Sequence, residues 1–161
     1  MKAKAKTKTS GEKCWMIGID TCFLVDLTMN GSPRHEGALK LFNNWKSTNK
    51  QMYIFYNVFL EFQHIVTDPK RFTNPMTMEQ AIEQSWFWCD QERVRIIYPD
   101  DQSFGRAQLW LNQYGLGRKR LIDTHMASCY ANHGVDVFWT ANPKDFEIFN
   151  VFDLIDYSSN K

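Results

Sequence analysis

Residues 15–27 read WMIGIDTCFLVDL, and this stretch carries most of the information on the fold class. Its first part, from Trp15 to Asp20, is almost continuously apolar, which is typical of a strand buried on both faces in a parallel sheet. Asp20 and Asp26 interrupt the apolar run, so the stretch cannot be a membrane span of about 20 residues. We therefore expect a buried central strand here.

Short apolar runs and longer helical patterns alternate along the rest of the chain. Four more strands are predicted, the last of them weaker than the others, at Met52–Tyr56, Val94–Tyr98, Val135–Thr140 and Asn150–Ile155. Between them, apolar residues recur three and four positions apart and predict helices near 33–48, 57–66, 78–89, 104–114 and 122–133. This alternation predicts an α/β three-layer sandwich with a mostly parallel central sheet.

Local signals predict where some of these helices begin and which face each one buries. Asn57 is the candidate N-cap of the second helix. The helix near 78–89 carries an apolar stripe that predicts its buried face: Met78, Ile82, Trp86 and Cys89. The helix near 122–133 carries another: Ile122, Met126, Cys129 and Tyr130.

The composition of the 161 residues, 43% hydrophobic and 23% charged, is that of one globular domain. Five lysines among small residues predict that 1–13 is a disordered basic tail ahead of a single domain at 14–161. The net charge of +1 neither requires nor excludes a polyanionic partner. No apolar stretch makes the tail a signal peptide, so a cytoplasmic protein is expected. The four cysteines form no C-x-x-C pair and are interpreted as buried reduced thiols.

Acidic and amide side chains follow the predicted strands. Asp20 closes the first strand, Glu61 lies near the start of the helix after the second, and Asp123 opens the helix that leads into the fourth. The carboxyl ends of parallel strands form one edge, where such sheets bind ligands, so these side chains are expected to converge. Asn142 follows the fourth strand by two residues, and Asp145 could reach the same place.

Each of these residues also has an ordinary structural explanation. Asp20 could cap a short helix through the amides of Cys22 or Phe23. Asp123 could simply favour a helix N-terminus, and Asn142 a turn. Together, however, carboxylates about 4 Å apart repel by roughly 4 kcal/mol, so the cluster needs either a cation or a proton. Oxygen ligands without His or Cys suit Mg²⁺ or Mn²⁺, which can support phosphodiester hydrolysis.

Four segments resemble the successive motifs of PIN-domain proteins, especially the VapC-like toxins: IGIDTCFLVDL at 17–27, NVFLEF at 57–62, RLIDTHMASCYANHG at 120–134 and VFWTANPKDF at 137–146. The resemblance implies a parallel-sheet ribonuclease activated by Mg²⁺ or Mn²⁺, often a homodimer and often neutralised by a small protein antitoxin. It implies that Asp20, Glu61 and Asp123 hold the metal. Thr21 and Thr140 match the family's hydroxyl positions, although capping explains them equally well.

The fourth acidic position of the family is occupied here by Asn142, which offers an oxygen but no charge. Metal affinity would then be lower unless Asp145 contributes, and the sequence does not choose between the two. Arg118, Lys119 and Arg120 precede the third motif and could hold RNA phosphates, with solvation as the alternative.

The leading hypothesis is a metal-dependent endoribonuclease acting on RNA, the toxin of a type II toxin–antitoxin pair. The alternatives are an RNA-processing nuclease without an antitoxin and a catalytically silent binding module of the same fold. A phosphoryl-acceptor protein ranks third. Phosphatases of the haloacid type require a D-x-D motif, which Asp20, Thr21 and Cys22 do not form.

Overall fold

The computed structural model describes residues 15–158 and has one sheet of five parallel strands in the order β3-β2-β1-β4-β5. The strands are β1 Met16–Ile19, β2 Gln51–Phe55, β3 Val94–Ile97, β4 Val137–Thr140 and β5 Asp153–Asp156. Ile17 of the central strand is in register with Met52 on one side and Val137 on the other. The predicted parallel sheet is confirmed, and the first four strands begin and end within two residues of their expected bounds, whereas β5 begins three residues later than predicted.

Within residues 15–158, six α-helices cover both faces of the sheet. They are α1 Thr21–Thr28, α2 His35–Lys46, α3 Tyr56–Val66, α4 Met78–Cys89, α5 Asp101–Gln113 and α6 Leu121–Asn132. Helix α1 packs on α2 and α3, and α3 packs on α4, whereas α5 and α6 pack on each other. Short 3₁₀ turns precede α6 and follow β4, at Arg118–Arg120, Pro143–Asp145 and Glu147–Phe149. The three-layer α/β architecture is therefore confirmed.

Helix α6 approaches the central strand closely at Gly18. A Cβ atom there would lie 3.2 Å from the rings of both Tyr130 and Phe138, tighter than ordinary van der Waals contact. The buried hydroxyl of Tyr130 donates to the carbonyl of Ile19 at 2.7 Å and accepts from the amide of Phe55 at 3.0 Å. One side chain of α6 thus joins the carboxyl ends of β1 and β2.

Three sequence predictions about the helices are wrong. Helix α3 begins at Tyr56 with Phe55 as N-cap, so Asn57 lies inside the helix and does not cap it. Helix α4 buries Ala81, Ser85 and Trp88 instead of the predicted stripe, of which Met78, Ile82 and Trp86 are exposed. Ile122, in the first turn of α6, is exposed as well, whereas Met126, Cys129 and Tyr130 of its predicted stripe are buried.

The predicted basic tail, Cys14 and residues 159–161 lie outside the described residues. Cys22, Cys89 and Cys129 are free thiols, but only Cys129 is buried, so the expectation that all the thiols are buried is wrong for the other two. Within residues 15–158, no helix has the length and apolar character that crossing a bilayer requires.

Candidate active site

Asp20 stands at the carboxyl end of β1, where the chain turns into α1. Asp20 is the N-cap of α1, and its carboxylate accepts from the Cys22 amide at 3.4 Å, so the capping role predicted for this residue is present. The other oxygen accepts from the buried hydroxyl of Thr140, at the end of β4, at 2.8 Å. Two adjacent strands therefore fix the orientation of Asp20, which is only 8% exposed.

Glu61 reaches the same edge from the second turn of α3. Its Oε2 atom accepts from the hydroxyl of Thr21 at 2.6 Å. Thr21 is buried and is the first residue of α1, so this bond connects the residue after Asp20 with the helix that follows β2. Both threonines singled out from the sequence thus hold a carboxylate, Thr140 that of Asp20 and Thr21 that of Glu61.

Asp123 lies in the first turn of α6 and faces the same space. Arg120 lies one turn earlier, with its Nε atom 3.7 Å from Oδ2 of Asp123. Its Nη1 atom lies 3.3 Å from Oδ1 of Asp145, and its Nη2 atom donates to the Asp145 backbone carbonyl. One guanidinium therefore lies between the third predicted acid and the 3₁₀ turn after β4.

The electrostatics of these groups show that they act on one another. Burial and, secondarily, the charge of Glu61 raise the pKa of Asp20 to about 6, although the hydrogen bond from Thr140 opposes this. Burial and the charges of Asp20, Asp145 and Glu61 raise the pKa of Asp123 to about 6, and Arg120 offsets part of that rise. The cluster is therefore short of positive charge.

The two candidates for the fourth position differ in their exposure and in their contacts with the other acids. Asn142 is exposed, and its backbone amide donates to the Thr140 hydroxyl at 3.0 Å. Asp145, three residues later, is about half exposed and contributes to the electrostatic environment of Asp123. Of the two side chains, only that of Asp145 is seen to be coupled to the other acids.

The three basic residues before α6 also differ from one another in exposure and in contacts. Arg118 and Lys119 are exposed in the 3₁₀ turn, whereas Arg120 is turned toward Asp123 and Asp145. Sequence reasoning missed this role of Arg120. The three-residue spacing from Arg120 to Asp123 was an available signal, because such pairs meet on one face of a helix. No local signal links Arg120 to Asp145, which follows 25 residues later.

The donors suit a hard divalent cation, since carboxylate oxygens are the ligands that Mg²⁺ and Mn²⁺ prefer and Arg120 offsets only part of the negative charge of the cluster. As the side chains stand, however, no three His, Cys, Asp or Glu residues between 15 and 158 are grouped closely enough to hold a metal. Thr21, Thr140 and Arg120 hold the carboxylates instead. The residues fit such an ion by chemistry and charge.

Solved structures with a similar fold come from VapC and VapBC systems. Mycobacterium tuberculosis VapC20, described as a sarcin–ricin loop cleaving toxin, has a TM-score of 0.59 at 19% identity, covering 76% of this chain and 86% of its own. Haemophilus influenzae VapBC-1 has a TM-score of 0.61 at 19% identity, with 89% and 99% covered. Rickettsia felis VapBC2, bound to a promoter DNA fragment, has a TM-score of 0.57 at 21% identity, with 87% and 97% covered.

A sequence comparison with curated proteins gives no significant match. The sequence does match the PIN domain over residues 17–149, which begins in β1 and ends in the last 3₁₀ turn. This range contains every acid of the cluster described above. The chain therefore belongs to the PIN domain family and shares its fold with the VapC toxins.

Proposed function

We propose that the protein is a metal-dependent endoribonuclease that hydrolyses RNA phosphodiester bonds. The observation that carries the proposal is the convergence of Asp20, Glu61 and Asp123 at the carboxyl edge of a PIN-domain sheet, where the charge of Glu61 contributes to the raised pKa of Asp20, and the charges of Asp20 and Glu61 to that of Asp123. A bound cation would stabilise the ionised form of these carboxylates at neutral pH. The structural similarity to VapC20, described as a sarcin–ricin loop cleaving toxin, supports RNA as the substrate.

Asp20, Glu61 and Asp123 would hold Mg²⁺ or Mn²⁺, with Asp145 as the favoured fourth contributor and Asn142 as the alternative. The bound ion would supply Lewis-acid chemistry, activating water and offsetting negative charge on the phosphate. Thr140 and Thr21 would orient the carboxylates of Asp20 and Glu61 through the bonds described above.

The exposed cations Arg118 and Lys119 are proposed to contact the RNA backbone. They belong to the same short turn as Arg120, next to Asp123, so phosphates held there would lie beside the acid cluster. Phosphate contacts of this kind position RNA without reading its sequence. Arg120, in contrast, is engaged with Asp123 and Asp145 and is not free to contact phosphates.

We further propose that the enzyme is the toxin of a type II pair, acts in the cytoplasm, forms a homodimer and is neutralised by a small protein antitoxin. The support is that similar folds occur in VapBC complexes, one of them bound to promoter DNA. Co-expression with the protein encoded by a small neighbouring gene, followed by co-purification, tests the antitoxin. A chain that never co-purifies with that protein and is harmless to its host when expressed alone would leave an RNA-processing nuclease as the better assignment.

RNA cleavage in Mg²⁺ or Mn²⁺ tests the activity. Asp20→Asn, Glu61→Gln and Asp123→Asn should each lower the rate by about a hundred-fold or more, because each loses a charged ligand. Glu83→Gln is a matched control, since Glu83 is an exposed acid on α4. Equal cleavage by wild type and Asp20→Asn would contradict the proposal. A wild-type protein that neither cuts RNA nor binds metal would be the silent module.

Divalent metal should also raise the melting temperature. A ligand that binds only the native state at a hundred times its Kd stabilises it by about 2.7 kcal/mol. Differential scanning fluorimetry with and without millimolar Mn²⁺ measures this, and Asp20→Asn should abolish the shift while Glu83→Gln keeps it. Unchanged melting of the wild type would count against an assembled metal site.

A further inference from the structure

Arg120 is partly buried, and both Asp123 and Asp145 lie close to its guanidinium. Its side chain is 23% exposed and contacts both the carboxylate and the backbone carbonyl of Asp145. Its Nε atom is buried without a hydrogen-bond partner and faces Asp123 at 3.7 Å, beyond hydrogen-bonding distance. Arg120 is thus anchored on Asp145 and acts on Asp123 through charge.

The neighbouring cations provide a contrast within the same turn. Arg118 and Lys119 are exposed, and within residues 15–158 neither is seen in an ion pair with the acids of the cluster. An arginine side chain is positively charged in proteins, so Arg120 brings a positive charge to the acids. The acid cluster therefore contains one fixed positive charge supplied by the chain itself.

We infer that Arg120 is an internal counter-ion that weakens the affinity of the acid cluster for divalent cations, and that Asp145 is its anchor. This inference rests on the proposed metal site. A divalent ion that uses Asp123 must share that carboxylate with a positive charge held a few ångströms away, and the two cations repel. Arg120 is then a positioning residue that sets the metal concentration at which the cluster is filled.

Isothermal titration calorimetry with Mn²⁺ at pH 8 tests the inference directly on the full chain. Arg120→Met removes the charge and keeps an unbranched side chain, and Arg120→Gln repeats the charge removal with a polar one. Each should tighten Mn²⁺ binding on the order of ten-fold, which is about 1.4 kcal/mol. Arg120→Lys keeps a positive charge, so its affinity for Mn²⁺ should stay within about three-fold of the wild-type value, less than the change expected of the two neutral variants. Lys119→Met removes a charge from the adjacent position and should change binding little.

The outcomes separate the inference from the proposed function. Tighter binding in both neutral variants, with Lys119→Met near wild type, supports the counter-ion role. Unchanged or weaker binding in Arg120→Met and Arg120→Gln would overturn it, as would an equal gain in Lys119→Met, because bulk charge would then explain the effect. A wild-type protein that binds no Mn²⁺ would remove the metal site itself, and with it the inference. Circular dichroism shows whether each variant is folded.

Discussion

Asp20 combines burial, a helix cap and a neighbouring negative charge in one side chain. The hydrogen bonds from Thr140 and from the Cys22 amide stabilise its ionised form, whereas burial and Glu61 disfavour that form more strongly. Its pKa therefore rises from 3.8 to about 6. A carboxylate held in this way makes the folded protein less stable at the pH at which it would bind metal.

The sign of the pH effect follows from proton binding. Between about pH 3.8 and pH 6 the folded state holds the Asp20 proton while the unfolded chain releases it. Through this group the free energy of unfolding falls as the pH rises through that interval, and the loss is complete above pH 6. Below pH 3.8 both states are protonated, and the group has no effect.

Asp20→Asn should therefore stabilise the metal-free protein at pH 8 by about 1–2 kcal/mol, since about two pKa units correspond to roughly 3 kcal/mol and the carboxamide loses part of the hydrogen bonding. Urea unfolding in EDTA at pH 8 and at pH 3.5 measures the difference, which should vanish or reverse at the lower pH. Glu83→Gln serves as the control with an exposed acid. A variant that is less stable than wild type at pH 8 would show that the hydrogen bonds of Asp20 outweigh its burial.

Single residues were predictable from the sequence where local chemistry decides their role. Asp20 could be named as a cap and a strand-end acid because both follow from the residues next to it. The contact of Arg120 with Asp145 could not, because it depends on how the turn after β4 folds back on α6. Electrostatic coupling across the cluster is a product of the tertiary structure.

At the scale of elements, α4 shows why an apolar stripe can mislead. Its sequence has apolar side chains on more than one face, and small side chains decide which one is buried. Ala81 and Ser85 allow a close approach to α3, and Gln63 of α3 donates to the hydroxyl of Ser85 at 3.0 Å. Trp88 completes the buried face and packs edge-on against Phe42 of α2 with ring centroids 5.5 Å apart.

Two tryptophans of α4 give a matched test of this face. Trp88 is 3% exposed and Trp86 is 64% exposed. Trp88→Ala should lower the free energy of unfolding by about 3–5 kcal/mol, because it empties a packed site. Trp86→Ala should change it by about 0.5 kcal/mol or less. Chemical denaturation of both variants measures these values. Equal losses would mean that α4 buries the stripe predicted from the sequence.

The order of strands and helices was predictable because a parallel sheet buries its strands on both faces, and their sequences show it. The residues at which helices begin and the faces that they bury were less predictable. Tyr56 begins α3 although Asn57 is the better capping residue, and the amide of Phe55, the N-cap, bonds to Tyr130 of a distant helix. Tertiary contacts override local capping preference at this position.

At the scale of the whole molecule, the end of the described chain is tied to its first helices. The Tyr157 hydroxyl donates to the buried carboxylate of Asp26 in α1 at 2.8 Å, and Arg34 pairs with the same carboxylate at 2.7 Å. Gly37 of α2 lies against the Tyr157 carbonyl, where an added Cβ would collide with the oxygen. The segment after β5 thus packs against both α1 and α2.

Gly37→Ala should therefore destabilise the protein by about 1–3 kcal/mol, since the contact is with backbone that must shift. Gly105→Ala is the control, because Gly105 lies inside α5 with nothing within 4 Å of an added Cβ. That substitution should stabilise by about 0.5–1 kcal/mol. Thermal unfolding of both variants distinguishes them, and a stabilised Gly37→Ala variant would contradict the close packing of α2 on Tyr157.

The buried phenol of Tyr130 connects the elements that carry the three acids. It touches the strand that ends at Asp20 and the strand that leads into the Glu61 helix, and it belongs to the helix that begins near Asp123. The three elements that carry the carboxylates are therefore linked through one buried hydroxyl, while Thr140 and Thr21 orient two of the carboxylates at the edge of the sheet. A substitution of Tyr130 that leaves the fold intact is therefore expected to shift the three acids together and to lower the proposed nuclease activity.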